Sequence, residues 1–325
     1  MKKLAVIFSL VFIAAIAGLA GVVAATGTDF NYDGNFYIGF DIGGELMKNG
    51  ETKTTDITDA FEDIALSVIS AEINFKVTDT AAPKVTYTSH SDCDCEVYVK
   101  DKVLVINEKK NVFTLFSFGF LFGKNELTVE LPKAQYGNVS INSVSGGGNF
   151  SGLTAESLTF NTTSGDFNIS AFAKTLAISS VSGNMQMSNP LTDECDSFSL
   201  RTTSGRYSIS GFKTKQFEVK TISGDVEISG ISGKGSLNMT SGDVDISFAE
   251  WNDDISVSTI SGDVDIILPA GSGADVSFSG ISGDVTSLLD GSNVKIGKGS
   301  TSTVGGSNKH NIGINLTSGD VTIRN

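Results

Sequence analysis

The sequence predicts an all-β fold: a single-stranded β-helix, or solenoid, of coils about 19 residues long, preceded by an N-terminal transmembrane helix or signal sequence. Three observations predict it. A Ser-Gly-x anchor recurs at Ser145, Ser164, Ser182, Ser204, Ser223, Ser241, Ser261, Ser282 and Ser318, with glycine-to-glycine steps of 19, 18, 22, 19, 18, 20, 21 and 36 residues. Apolar and polar residues alternate on both sides of each anchor. Met1-Lys2-Lys3 is followed by 22 uncharged, mostly apolar residues, Leu4 to Ala25.

One coil is built as follows. In Thr221 to Ser229 the alternation places Ile222, Gly224, Val226 and Ile228 on one side, and Thr221, Ser223, Asp225 and Glu227 on the other. A second alternating pair precedes each anchor, such as Phe217 and Val219 or Leu237 and Met239. The two patterns are out of phase, because Val219 to Ile222 is an odd step of three. A period of two that loses phase implies a corner. Each coil therefore reads as strand, corner, strand, then a turn such as Gly230 or Gly211-Phe212. The anchor glycine lets the backbone bend or approach its neighbour closely. The last step is near two periods, so one copy is expected to have decayed into Gly297 to Ser307. Nine coils at about 4.8 Å make a rod about 43 Å long. A 20-residue period argues against propeller blades, and the leucine-rich pattern is missing.

From the start, residues 1–25 form a signal sequence or a membrane anchor. Leu4 to Ala25 is long enough to span a bilayer, whereas Val23-Ala24-Ala25 offers small residues for a signal peptidase. A retained span gives a single-pass protein of the cell membrane with its C-terminal domain outside the cytoplasm, and cleavage gives a secreted one. Residues 26–60, rich in Gly and Asp, read as a linker. The solenoid is assigned to 61–325, with capping strands over 61–135 and regular repeats over 136–325. Ser70-Ala71-Glu72-Ile73-Asn74-Phe75 aligns with Ser223 to Ile228 as a degenerate first copy. Val97 to Ile106 reads as a hairpin around Lys100-Asp101, and Leu127 to Leu131 as a strand stopped by Pro132. Between them, Phe113, Phe116, Phe118, Phe120 and Phe122 crowd an uncharged stretch. It is either a hairpin tucked on the coil end or a contact tip facing a membrane or partner.

The chain carries a formal charge of −14. Residues 1–131 hold 11 basic and 18 acidic residues, and residues 132–325 hold 12 and 19, so both halves are acidic. That excludes a nucleic-acid partner. His90 and His310 lie at opposite ends, and serines and aspartates recur through repetition, so no catalytic set is singled out. The chain reads as no enzyme. His90, Cys93 and Cys95 are the best local metal candidates, but their spacing lacks two ligand pairs. Three cysteines leave at least one unpaired, and Cys195 is isolated. Stacking would place Asp166, Asp225, Asp243, Asp263, Asp284 and Asp320 in one outward column, and Glu227, Asp245 and Asp265 in a second. Carboxylates about 5 Å apart repel by about 1 kcal/mol even in water. The column is either a solvated acidic face or a calcium ladder through Asp225, Asp243, Asp263 and Asp284, calcium being the one cofactor in view.

The repeated Ser-Gly-Asp-Val-x-Ile, the strand ending in Leu131-Pro132 and the lead-in Phe61-Glu62-Asp63-Ile64 resemble a bacterial family of candidate adhesins, catalogued as domain of unknown function 4097. The resemblance spans roughly residues 60–325. It implies a β-solenoid exported to the cell envelope, often behind a membrane helix, and brings no catalytic residues. The expected function is a non-enzymatic envelope protein whose solenoid serves adhesion or ligand binding at the cell surface. The alternative is a sensor or regulator of envelope stress. Expected partners are the membrane, through the N-terminal helix, and a surface, wall polymer or protein ligand.

Overall fold

The computed structural model describes residues 50–79, 82–90, 93–110, 124–189 and 193–325. The leader Leu4 to Ala25 and the segment Phe113 to Phe122 lie outside the described residues. Among the described residues there is no α-helix, and a single 3-10 turn stands at Leu289–Gly291. No described helix is long and apolar enough to cross a membrane.

Each coil contributes one strand to each of two parallel ladders. In the coil of Gln216–Thr221 and Asp225–Ile231, the first strand pairs in parallel with Ser197–Thr202 and Lys234–Met239. The second pairs in parallel with Arg206–Ser210 and Val244–Phe248. Equivalent residues fall in register, so Tyr207, Val226, Val244 and Val264 form one inward column. These inward rows meet between the ladders and make one continuous core. Toward the N-terminal end the core is aromatic: Phe150 lies 5.4 Å from Phe75 and 5.7 Å from Phe160 by ring centroids. Farther on, β-branched aliphatics follow Tyr207 in the second ladder's inward column, while Phe198 with Phe212 (5.9 Å) and Phe248 with Trp251 (5.1 Å) keep rings in the core. In Gly148–Thr162 and Phe167–Ser180 the chain stays in strand geometry around the second corner and serves both ladders in one element.

The expected phase change is present, but it lies elsewhere in the coil. Thr221 is buried and Ile222 is 54% exposed, the reverse of the sequence expectation. Phe217, Val219 and Thr221 face inward together, Ile222 and Ser223 turn out at the corner, and Gly224 resumes the inward row. Thr221 tolerates burial because its hydroxyl donates to the Gly224 carbonyl (3.1 Å) and accepts from the Gly224 amide (2.8 Å).

Glycines stack at this corner as expected. A Cβ on Gly183 would lie 2.1 Å from the Gly165 carbonyl oxygen, and one on Gly205 would lie 2.0 Å from that of Gly183. Ala71 occupies the first rung: Gly146 sits against its carbonyl, and Ile73 pairs with Gly148. Ser70 to Phe75 is thus the degenerate first copy that the alignment predicts.

At both ends the order in space departs from the order in sequence. The final coil, Asn308–Leu316 and Val321–Arg324, is inserted between Ile255–Thr259/Val264–Ile267 and Ser272–Gly280/Val285–Leu288. The 36-residue step therefore does not mark a decayed coil. The stretch read as one contains Ser300–Gly305, which runs antiparallel along the outer side of Ser272–Gly280. Val294–Ile296 does the same beside Val285–Leu288. Two connections consequently pass each other. One climbs from Ile267 to Ser272 past the inserted coil, and the other descends from Gly305 to Asn308 past the start of Ser272–Gly280. They meet at Gly306, whose amide donates to the Ser272 carbonyl at 2.9 Å.

The N-terminal end repeats the device. Asp63–Val68 lies between Val103–Lys110 and Gln135–Ser143, and Glu72–Thr78 between Glu126–Pro132 and Gly148–Thr162. Antiparallel strands close this end too: Cys93–Lys100 beside Val103–Lys110, and Lys84–Ser89 with Glu51–Asp56 beside Glu126–Pro132. Such outer strands cover the open ladder edges. The hairpin of Cys93–Lys100 and Val103–Lys110 turns at Asp101 (φ 51°) and Lys102 (φ 64°), both left-handed as a two-residue hairpin loop requires. Two expectations are corrected here. Glu51–Asp56, inside the stretch read as a linker, is a strand, and 63–78 is an internal coil of the stack as well as part of its N-terminal cap.

An inserted coil cannot be peeled away without opening two interfaces. Deleting residues 308–325 is therefore expected to release Ser272–Gly280 and everything outside it. Limited proteolysis should then cut between 272 and 307 while the coils before 268 stay protected. Unchanged protection of 272–305 would show that those strands hold without the inserted coil.

Candidate functional site

The surfaces available for recognition are the two outward sheet faces and the corner between them. On the second ladder the outward rows follow directly from the anchor. The column predicted from Asp166 onward is present, and in spatial order Asp263 is followed by Asp320 and then Asp284. Apart from Asp284, each carboxylate has a backbone partner one coil away. Asp225 accepts the Asp243 amide at 3.3 Å, Asp243 that of Asp263 at 3.0 Å, Asp263 that of Asp320 at 2.8 Å, and Asp320 that of Asp284 at 2.8 Å. Asn184 continues the pattern, accepting from the Arg206 amide and donating to Asp166. Lys295 closes the column on Asp284 at 3.2 Å. The column is thus a ladder of side chain to backbone bonds that links coil to coil. Among the described residues, no three His, Cys, Asp or Glu side chains converge on a point that could hold a metal ion.

The second column brings Glu227, Asp245 and Asp265 together in register. Arg324, from the inserted coil, donates from Nε to Asp265 at 2.8 Å and from a guanidinium nitrogen at 2.7 Å. Asp245 sits one coil beyond Asp265, on the side away from Arg324. Burial, reinforced by Asp265, Glu227 and Asp243, raises its carboxyl above the ordinary carboxylate range. A carboxyl raised in the folded state favours folding when protonated and opposes it when ionised. Asp245→Asn is therefore expected to raise stability at pH 7, by less than about 1 kcal/mol at this solvated site. The gain should vanish as pH falls below the ordinary Asp pKa. Urea denaturation at pH 7 and pH 3.5 reads it, and a loss of stability at pH 7 would contradict the cause given.

The first ladder's outer face carries small hydroxyl and amide side chains, with a cluster of charge in its middle. Arg201 and Lys220 both contact Glu218, at 2.8 and 2.5 Å. These two contacts hold the Glu218 carboxyl below its ordinary value. Asn161 donates to Asn142 at 3.0 Å in the same row.

At the corner, the residue before each anchor serine points outward. In spatial order Val144, Thr163, Val181, Thr203, Ile222, Thr240, Ile260, Thr317 and Ile281 follow one another, as the corner hydrogen bonds establish. Aliphatic and threonine residues alternate without a break, and the inserted coil supplies the threonine between Ile260 and Ile281. The aliphatic members are among the few exposed large apolar residues of the chain, from 38% at Val181 to 78% at Ile281. The sequence reading missed this row because it placed Ile222 inside.

The thiols are not poised for chemistry. Cys93, Cys95 and Cys195 are all free and buried. Burial, with nearby carboxylates, pushes Cys95 up to about 12 and Cys195 up to about 11. Cys93 and Cys95 share the buried face of their strand, while the His90 amide donates to Asn125.

A protein-family profile described as Toastrack DUF4097 matches residues 61–324. No curated protein matches the chain. Among solved structures the chain is similar to a candidate adhesin from Bacteroides fragilis NCTC 9343, at 12% identity over 85% of this chain and 97% of that one, with a TM-score of 0.41. It is similar to a candidate adhesin from Parabacteroides distasonis ATCC 8503, at 13% identity over 85% and 98%, TM-score 0.34. A candidate lipid-binding protein from the same organism matches at 13% over 85% and 96%, TM-score 0.44. The family profile spans the whole stack from its lead-in Phe61 to Arg324, and the chain belongs to the Toastrack DUF4097 family.

Proposed function

We propose that this chain is a non-enzymatic protein of the cell envelope, displayed behind the apolar segment Leu4 to Ala25, whose rod serves adhesion or ligand binding. The observation that carries the reading is the repetition of its outer surface. Outward rows of hydroxyl, amide and carboxylate side chains stack coil on coil along both ladders, and aliphatic side chains recur every second coil at the corner. A surface of this kind offers many similar shallow sites on one rigid body. Weak contacts at such sites add through effective concentration when the ligand is itself repetitive. The Asp225, Asp243, Asp263 and Asp320 carboxylates are engaged in a ladder that supports the coil stack, and the thiols are buried.

The experiment is attachment of the purified full chain to cell-wall polymers and to immobilised matrix proteins, with cell fractionation beside it. Expected are retention in the membrane or secreted fraction and attachment that rises steeply with ligand density. A cytoplasmic protein, or attachment with no dependence on density, would overturn the reading.

A further inference from the structure

A groove of about 450 Å³ runs beside the corner row. One wall is the corner itself, at Val181, Thr203 and Ile222, and the other includes Arg201 and Lys220. Its floor is formed at Ser180, Thr202 and Thr221, whose side chains turn inward and donate to carbonyls of their own coils. We propose that this groove binds an extended, acidic polypeptide in polyproline II conformation with an apolar side chain at every third residue. The proposal rests on the reading of the rod as a ligand-binding surface, and adds the place, the ligand class and its charge.

Three features select that ligand. The first is spacing. Aliphatic corner residues recur every second coil, about 9.6 Å apart at the strand spacing of a sheet. Polyproline II rises about 3.1 Å per residue with three residues per turn, so every third side chain returns to the same edge after about 9.3 Å. A β-strand returns its side chains every ~6.8 Å and falls out of step. The threonine notches between Val181, Ile222 and Ile260 can therefore take successive apolar side chains of one ligand.

The second is charge. In a chain of net charge −14, Arg201 and Lys220 share the single carboxylate of Glu218, which leaves a cationic wall. The Asp225 and Asp243 column lies on the opposite side of the ridge, so an acidic ligand is directed to the Arg201 side.

The third is area. The strip along the corner is one side chain wide, well short of the ~800 Å² that each partner buries in a standard folded interface. That size suits a slender chain better than a second copy of the rod. No aromatic side chain lines the groove among the described residues, which disfavours a sugar ring seeking a stacking face.

The test is a titration of fluorescein-labelled (Leu-Glu-Pro)₆ with the full-chain protein, read by anisotropy at low salt. Saturable binding is expected. It should fall at least tenfold for (Leu-Lys-Pro)₆ and for (Leu-Glu-Pro-Pro)₅, in which leucine recurs every fourth residue. The double variant Arg201→Glu/Lys220→Glu should weaken it at least tenfold. Ile222→Thr, which installs the residue found on both neighbouring coils and so keeps the corner geometry, should weaken it several-fold. Equal binding of the spacing or charge controls, or variants that bind like the parent, would overturn the proposal. A rod that attaches to wall or matrix material yet ignores the peptide overturns the groove assignment alone. One that binds the peptide but attaches to nothing overturns the adhesion reading instead.

Discussion

Gly262→Ala is expected to destabilise the rod by about 4 kcal/mol, as the sum of backbone strain and overpacking. Two costs coincide at this rung. Its φ of 113° lies in the region that residues with a Cβ rarely adopt, and a Cβ would stand 2.0 Å from the Gly242 carbonyl oxygen. The obstacle is backbone held by the ladder on both sides, so no flexible side chain can give way. Two other glycines separate the costs. Gly271 also has a left-handed φ, 76°, but a Cβ there meets nothing within 4 Å, so Gly271→Ala should cost only ~1–2 kcal/mol. Gly224 has no left-handed φ, and its Cβ would approach the Gly205 oxygen at 3.0 Å, so Gly224→Ala should also cost ~1–2 kcal/mol. Urea denaturation of the three variants reads the order. Equal losses for Gly262→Ala and Gly271→Ala would show that close approach between coils does not select glycine at the anchor.

That ladder was legible in the sequence because its signals are local and repeated. A glycine every 18 to 22 residues and an alternating strand after it fix which residues stack. The aspartate column then follows from counting, and it appears with Asn184 and Arg206 in the gaps that counting gives. The hairpin is local in the same way, although its turn falls at Asp101-Lys102, one residue beyond the expected Lys100-Asp101. Ile222 shows where a local signal fails. An odd step can be absorbed before or after the corner, and apolar character argued for placing Ile222 inside. The opposing signal was a hydroxyl at the preceding position in coil after coil: Ser143, Thr162, Ser180, Thr202, Thr221 and Thr259. Read as solvent-facing polarity, these hydroxyls in fact turn inward and bond carbonyls of the corner, while Met239 and Leu316 fill the same position in their coils.

The order of coils at the ends was not legible, for a different reason. Parallel ladders pair equivalent positions, so any coil fits beside any other by pattern alone. Asp320 donates its amide to Asp263 across 57 residues, and the intervening coil bears the same anchor. What distinguishes the true neighbour is the crossing of connections at Gly306 and, on the outside, the alternation of corner residues. The latter becomes regular only when Thr317 is placed between Ile260 and Ile281.

Glu108→Ala is expected to cost about 4 kcal/mol, as several buried donors lose their common acceptor. Glu108 is 3% exposed. One carboxylate oxygen accepts the backbone amides of Ile69 (2.6 Å), Ser70 (2.9 Å) and Ala71 (3.2 Å). The other accepts from the Tyr87 hydroxyl at 2.9 Å and the Asn125 amide at 2.8 Å. The reason lies in the stack. In the next coil, the Val144 and Ser145 amides donate to carbonyls of Val68 and Ile69. Glu108 does for the corner amides of the coil 63–78 what those carbonyls do for the coil that follows. Glu108, in the segment Asn107-Glu108-Lys109-Lys110, thereby terminates the corner column. Its alanine variant strands three backbone donors, and each unsatisfied buried group costs ~1–3 kcal/mol unless water enters. Glu108→Gln keeps one acceptor oxygen but turns an amide toward Asn125, itself a donor there, and should cost about 2 kcal/mol. Equilibrium denaturation gives the two losses, and amide exchange locates them. Exchange should accelerate at Ile69, Ser70 and Ala71 before it does at Val226 or Val244. If both variants lose less than 1 kcal/mol and those three amides stay protected, the corner is held by packing and the carboxylate is dispensable.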